Sequence, residues 1–271
     1  MQDLWNYSRK ELCQNGLKDI EMNKFILAMI TMGLISCSGP LFDDGPGFKE
    51  EFNRIDSSKW TVSSWQAPGA QRNHSGTFSS DNAQIVDGYL QLRLDQTKEG
   101  NSYVSSGAEI ASKEIFGYGT YEYRMRASTT SPTPNGEGQA VSGSVTSAFI
   151  YSENSVTEID VEFESNENRN STHFLSWKGE NTKQHTTTQL PGPIAHDEFY
   201  LYKIIWLEDS ITYYRNDVLV AQHVRVVPST FGSVMFNHWG AHLNWWGGWA
   251  TPDVTRYAYI DYFRYTPIFT E

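Results

Sequence analysis

The chain has 271 residues, a formal net charge of −11 and 14% aromatic side chains, with nine Trp and fifteen Tyr among them. That charge disfavours phosphate backbones and anionic lipid surfaces as partners, since neutralising phosphates requires a basic footprint. Two cysteines in this length make no disulfide framework, so the fold must rest on its apolar core.

Residues 1–21 are polar and charged and do not read as a leader, so they are expected to be an upstream extension, with translation starting at Met22. Residues 22–36 have the leader pattern: Met22-Asn23-Lys24 is a basic start, and the apolar run from Phe25 is too short for the roughly 20 residues that span a bilayer. Leu34-Ile35-Ser36-Cys37 resembles the lipobox of bacterial lipoprotein signals. The resemblance implies cleavage before Cys37 and lipidation of its thiol, which leaves the mature chain without Cys13. Residues 37–47, carrying Gly, Pro and acids, would be a tether. The expected location is therefore extracytoplasmic, lipid-anchored to a bacterial membrane at the outer membrane or cell surface, with no spanning helix.

Residues 48–271 read as one all-β domain, a β-sandwich. Short runs that alternate apolar and polar residues, such as Tyr89–Leu94, Thr120–Arg126, His173–Trp177 and Leu201–Trp206, are separated by Gly, Pro, Asn and Asp clusters. Arg215-Asn216-Asp217-Val218 places turn formers between two such runs and predicts a hairpin. Arg124 and Arg126 are expected to face solvent. The run from Thr129 to Gly143 is long for a connection and is expected to overhang one end of a groove.

The most informative stretch is Glu158-Ile159-Asp160-Val161-Glu162. Alternation at period two puts three carboxyls on one strand face and Ile159, Val161 and Phe163 on the other. A row of acids is costly unless a cleft or ligand uses it. Glu158 and Glu162 have Cα atoms about 13 Å apart at roughly 3.3 Å per residue. Long glutamate arms can bring their carboxyls to the roughly 5–5.5 Å separation at which one carboxylate attacks an anomeric carbon and the other protonates the leaving oxygen. A solvated acidic face, or half of a cation site, is the plainer alternative.

Thr157-Glu158-Ile159-Asp160-Val161-Glu162-Phe163-Glu164 is similar to the signature of glycoside hydrolase family 16. The segments Gly107–Glu114, Phe116–Ala127, Tyr202–Trp206, Ile211–Val220, Ser233–Trp239 and Ala258–Tyr265 resemble the strands of that family in the same order. The first two read as a strand pair preceding the acidic strand. The resemblance spans roughly residues 48–267 and implies a jelly-roll β-sandwich with a concave substrate cleft. It assigns the nucleophile to Glu158, the assisting acid to Asp160 and the general acid/base to Glu162. It also points Phe149, Tyr151, His173 and Trp177 into the cleft beside that strand, matches Glu109 to a cleft-facing acid, and puts Trp239 where a substrate-stacking aromatic is common.

The segment Asn237–Trp249 gathers further aromatics, of which Trp245 is taken as a cleft residue, while Trp246 and Trp249 are divided between cleft and core. His238 and His242 lie four apart, but without a helix or an evident third ligand they do not read as a metal site. Departures from the lichenase pattern are Val156 for a Trp, Ala111 for an Arg and Glu164 for a Leu. The single residue between Asp160 and Glu162 argues against the bulged laminarinase and agarase branches.

The resulting expectation is a monomeric, retaining, endo-acting hydrolase of a neutral β-linked polysaccharide, with β-1,3-1,4- or β-1,3-glucan as substrate and no cofactor, a structural calcium being left open. A transglycosylase on the same glycans and a non-catalytic glycan-binding module are the alternatives.

Overall fold

The computed structural model describes residues 47–69, 73–152, 157–166, 169–179, 181–188, 196 and 198–268. The upstream extension, the leader, Cys37, the tether up to residue 46 and Val156 lie outside the described residues. In chain order the strands are β1 (Phe48–Glu50), β2 (Trp60–Val62), β3 (His74–Phe78), β4 (Ala83–Val86), β5 (Tyr89–Glu99), β6 (Ser102–Phe116), β7 (Gly119–Thr129) and β8 (Ser144–Tyr151). There follow β9 (Glu158–Asn166), β10 (Arg169–Trp177), β11 (Lys183–Thr188), β12 (Tyr200–Trp206), β13 (Ile211–Arg215), β14 (Val218–His223), β15 (Gly232–Gly240) and β16 (Arg256–Pro267). One 3-10 turn, Ser80–Asn82, precedes β4, and no α-helix occurs among the described residues.

The strand order β11-β10-β9-β8-β15-β6-β5-β16-β7-β12-β13-β14 divides into two facing layers, joined where the long β5 and β6 pass from one to the other. The layer that runs from β11 to β6 carries the acidic strand; the second runs from β5 to β14. Strands β6 and β7, expected from sequence to pair, do not. β6 pairs β15 and β2, whereas β7 pairs β12 and β16, so the chain changes layer at Gly117-Tyr118. Periodicity gives strand existence but is silent on which layer a strand joins.

Between the layers lie Phe52, Trp60, Phe116, Tyr121, Tyr123, Phe163, Phe174, Tyr202, Trp206, Tyr213, Phe236 and Phe263, all buried. Much of the aromatic content therefore packs. Trp60 and Trp206 bring their indole N–H groups into the core satisfied, donating to Glu50 Oε2 at 3.1 Å and to the Pro228 carbonyl at 3.1 Å. The predicted hairpin forms: Asn216 and Asp217 have φ of 47° and 61° between β13 and β14, the left-handed pair that matches strand twist.

The buried face of β9 fixes the site. Ile159, Val161 and Phe163 are fully buried, and the Phe163 ring meets Tyr202 of the opposite layer edge-on at 5.1 Å. Each such side chain contributes about 1.5–3 kcal/mol relative to exposure. A one-residue slip would exchange these side chains for carboxyls, so the register that turns the acids to the opposite face is strongly enforced. Both neighbours keep unbroken register along β9, as the single-residue spacing between Asp160 and Glu162 implied.

The expectation that Arg124 and Arg126 face solvent fails on the second layer. Arg126 is buried, donating to the carbonyls of His196, Pro134 and Gly136 at 2.9, 3.0 and 2.8 Å and to Thr129 Oγ1. Those contacts hold the 130–143 loop against β7, and further bonds from Gln91 and Tyr259 to the carbonyls of Pro132 and Ser131 hold it against β5 and β16. The body of the loop thus covers the second layer, and its end reaches β9, where the Gly143 N–H donates to the Ser165 carbonyl at 3.0 Å. Arg124 is only half-exposed, paired with Asp261 at 2.6 Å and stacked over Phe199.

Candidate active site

Unbroken register gives each acid of β9 a defined pair of neighbours. Glu158 lies between Tyr151 and Trp177, Asp160 between Phe149 and Leu175, Glu162 between Ser147 and His173, and Glu164 between Val145 and Ser171. Glu158, Asp160 and Glu162 line two adjoining cavities, one over β10 and β11 and the other over β8, β15 and β6, so the acid row lies across the floor of a groove that extends to both sides. One cavity, about 670 Å³, is bounded by Trp65, Gln66, Pro68, Glu109, Phe149, Tyr151, Asn237 and Trp239. The other, about 870 Å³, is bounded by Glu164, His173, Trp177, Lys183, His185, Trp245 and Trp246.

The three carboxyls occupy different electrostatic settings. Burial and then the charges of Glu158 and Glu162 hold the Asp160 carboxyl well above the usual range, so it stays protonated and donates a hydrogen bond to Glu158. Burial also raises Glu158, but that donated bond opposes the rise and favours its carboxylate. Glu162 is pushed up to about 7, by burial first and then by the charges of Glu158 and Glu164, against a 3.2 Å hydrogen bond from Ser147 Oγ. One strand therefore holds a carboxylate stabilised by a neighbouring proton and a second carboxyl that keeps its own proton near neutral pH. That division suits a nucleophile and an acid acting on the same bond.

The other sequence candidates reach the groove in different ways. Glu109 is buried in its wall, accepting from Ser63 Oγ at 2.7 Å and Asn237 Nδ2 at 3.2 Å, and burial raises its carboxyl. Phe149 and Tyr151 present part of each ring, as does Trp177, whose face carries Lys183 Nζ at 4.8 Å. Trp245 is 64% exposed. Trp239 is only 6% exposed, packed with Ala67, Phe78, Val145 and Ala241, so it borders the cleft rather than offering a stacking face. His173 commits both ring nitrogens, Nε2 to Glu164 Oε2 at 3.1 Å and Nδ1 to His185 Nε2 at 3.0 Å, and Trp246 packs on its ring. It belongs to the floor of the groove as a support.

His238 and His242 part company. His238 is sealed inside, bonded to the Leu92 carbonyl and Ser128 Oγ, while His242 stacks on Tyr103 and meets the Trp249 ring at a steep angle. Among the described residues no three His, Cys, Asp or Glu side chains are grouped to hold a metal.

Sequence reasoning missed Trp65, which is 51% exposed and supplies the open aromatic surface on the Tyr151 side. It sits in the segment between β2 and β3, where no periodicity marks a direction. Lys183, His185 and Asn237 were also missed; strand parity could have flagged Asn237, which shares the face of Trp239 and Met235 on β15.

Comparison with known proteins gives the same result along the chain. The model of the family "Glycosyl hydrolases family 16" matches residues 70–263. A beta-glucanase of Acetivibrio thermocellus is 30% identical over 224 residues, covering 80% of this chain and 62% of that protein, so this chain spans under two thirds of the relative's length. A beta-glucanase of Brevibacillus brevis is 27% identical over 83% of both chains. Among solved structures, the Bacillus licheniformis beta-glucanase superposes with a TM-score of 0.67 at 25% identity, covering 82% of this chain and 98% of that one. With the acid row on the groove floor and the family match spanning most of the chain, the protein belongs to glycosyl hydrolases family 16.

Proposed function

We propose that this protein is an endo-acting, retaining hydrolase of a neutral β-linked polysaccharide, a β-glucan with 1,3-1,4 or 1,3 linkages. The observation that carries the reading is the row Glu158, Asp160, Glu162 on the floor of a groove open on both sides, the shape that takes a chain in its middle. The names of the beta-glucanase relatives agree with it.

In the first step Glu158 Oε attacks the anomeric carbon as the bond to the departing sugar oxygen breaks, and Glu162 gives that oxygen its proton. Asp160 steadies Glu158 through its hydrogen bond. In the second step Glu162, now a carboxylate, takes a proton from water; the water oxygen replaces Glu158 at the anomeric carbon, and net configuration is retained. Aromatic faces such as Trp65 and Trp245 suit the apolar C–H faces of pyranose rings, and the acidic groove suits an uncharged chain better than a uronate or sulfate.

The deciding experiment uses mixed-linkage glucan and laminarin with wild type and Glu158→Gln. Wild type releases internal fragments with retained anomeric configuration by NMR, and the amide, unable to form the glycosyl ester, loses turnover. Inverted products, or near-normal turnover by the variant, would refute the assignment. Lipidation at Cys37, and with it attachment to an extracytoplasmic membrane, rests on the leader pattern alone. Expression with radiolabelled palmitate tests it, and an unlabelled wild type indistinguishable from Cys37→Ser would remove that part.

A further inference from the structure

Glu164 lies two residues beyond Glu162 on the same strand face, where the family resemblance leads one to expect an apolar Leu. It is 1% exposed; Asn166 Nδ2 donates to its Oε1 at 3.1 Å, and His173 Nε2 lies 3.1 Å from its Oε2. The Nδ1 of His173 is 3.0 Å from His185 Nε2 on β11, near the groove rim. These contacts suit a proton pattern in which His185 Nε2–H donates to His173 Nδ1 and His173 Nε2–H donates to Glu164. Trp246 packs on the His173 ring and fixes its plane.

We propose that Glu164, His173 and His185 form a relay that holds an anion beside Glu162, so that Glu162 keeps its proton until the departing sugar takes it. The proposal rests on the reading of Glu162 as the general acid, and it makes Glu164 and His173 positioning residues rather than groups that touch the reacting bond. Geometry supplies the argument. His173 is the cross-strand neighbour of Glu162 in register, while its ring meets Glu164, so one residue stands beside both acids. The charge of Glu164 is among the influences that raise Glu162. Other titratable or charged groups around this part of the groove are Glu158 and Asp160 on β9, Glu109 on β6, and Lys183 with His185 on β11. Among the described residues Glu164 is the carboxyl next to Glu162 on the far side from Asp160 on this strand face, held by Asn166 and His173.

The test is a carboxyl-carbon NMR titration of Glu162 in the full chain, run with the pH profile of kcat/KM. Glu164→Gln and His173→Phe should each move the Glu162 midpoint and the alkaline limb to lower pH by about 0.5–1 unit, the scale of losing one nearby charge. Activity at pH 8 should then fall roughly threefold to tenfold. His173→Gln, whose amide can still donate to Glu164, should restore most of the wild-type profile, a rescue that a purely structural role would not require. His185→Leu, at the rim, should shift the profile in the same direction with the fold undisturbed, so the question remains answerable if the buried variants fail to fold. Unmoved midpoints in the folded variants would overturn the relay. Failure of the underlying reading shows elsewhere: Glu162→Gln should keep the initial burst of aglycone from an aryl glycoside with a good leaving group, a step that needs no acid, while losing steady turnover because the second step lacks its base; loss of that burst in the folded variant would remove Glu162 as the acid whatever the titrations show.

Discussion

Substituting Glu162 by Gln should stabilise this protein in alkali while disabling it, because the wild type must ionise a carboxyl whose surroundings resist the charge. The carboxyl moves from an ordinary 4.5 to about 7 on folding. At 1.36 kcal/mol per pH unit that difference corresponds to about 3 kcal/mol, reduced to about 2 kcal/mol because solvent in the groove and the coupled neighbours Glu158 and Asp160 share the response. The sign follows from proton binding. A raised carboxyl gives the folded state more protons than the unfolded chain between roughly pH 4.5 and 7, so wild-type stability declines across that window and the deficit is complete above it. Glutamine has no such deficit. Urea denaturation of both proteins at pH 5 and pH 8.5 measures it: the variant should gain about 2 kcal/mol relative to wild type between the two conditions, or roughly 4–8 °C in Tm for a domain of this size. An equal stability difference at both pH values would refute the assigned environment of Glu162.

The two groove tryptophans should separate binding from stability. Trp65→Ala removes a half-exposed ring and should weaken oligosaccharide binding by about 1–3 kcal/mol with little change in Tm, whereas Trp239→Ala should cost about 3–5 kcal/mol of folding stability by opening a cavity. Calorimetric titration with cello- and laminari-oligosaccharides beside thermal melts would expose a reversed pattern. Arg126→Met strands three carbonyls that the guanidinium now satisfies, and should lower stability by about 3 kcal/mol and open the 130–143 loop to limited proteolysis while KM stays unchanged. A raised KM in that variant would mean that the loop reaches the groove after all.

The acidic strand was legible because three constraints coincide on it. Alternation placed Ile159, Val161 and Phe163 inward, burial locked the register, and the acids had only the groove to face. The β13–β14 turn was legible for a similar reason, since Asn216 and Asp217 are among the few residues that adopt positive φ readily. Aromatic roles were harder. Hydrophobicity does not distinguish Trp239, packed against Phe78, from Trp65 on an open loop, since each is compatible with core or cleft. Arg126 misled because an arginine on an alternating strand ordinarily faces water, and only the loop folded over it supplies the carbonyls that make burial tolerable.

By itself the sequence determined which strand bears the acids, that it runs without a bulge, and which face of it is buried, because these are properties of a strand's own period and composition. Tertiary structure decided that β6 and β7 lie in different layers, that His173 braces Glu164 instead of meeting solvent, and that Glu162 holds its proton to about 7. Those outcomes depend on groups many residues apart being brought within a few ångströms, where burial and neighbouring charge act on each carboxyl in ways no local pattern records.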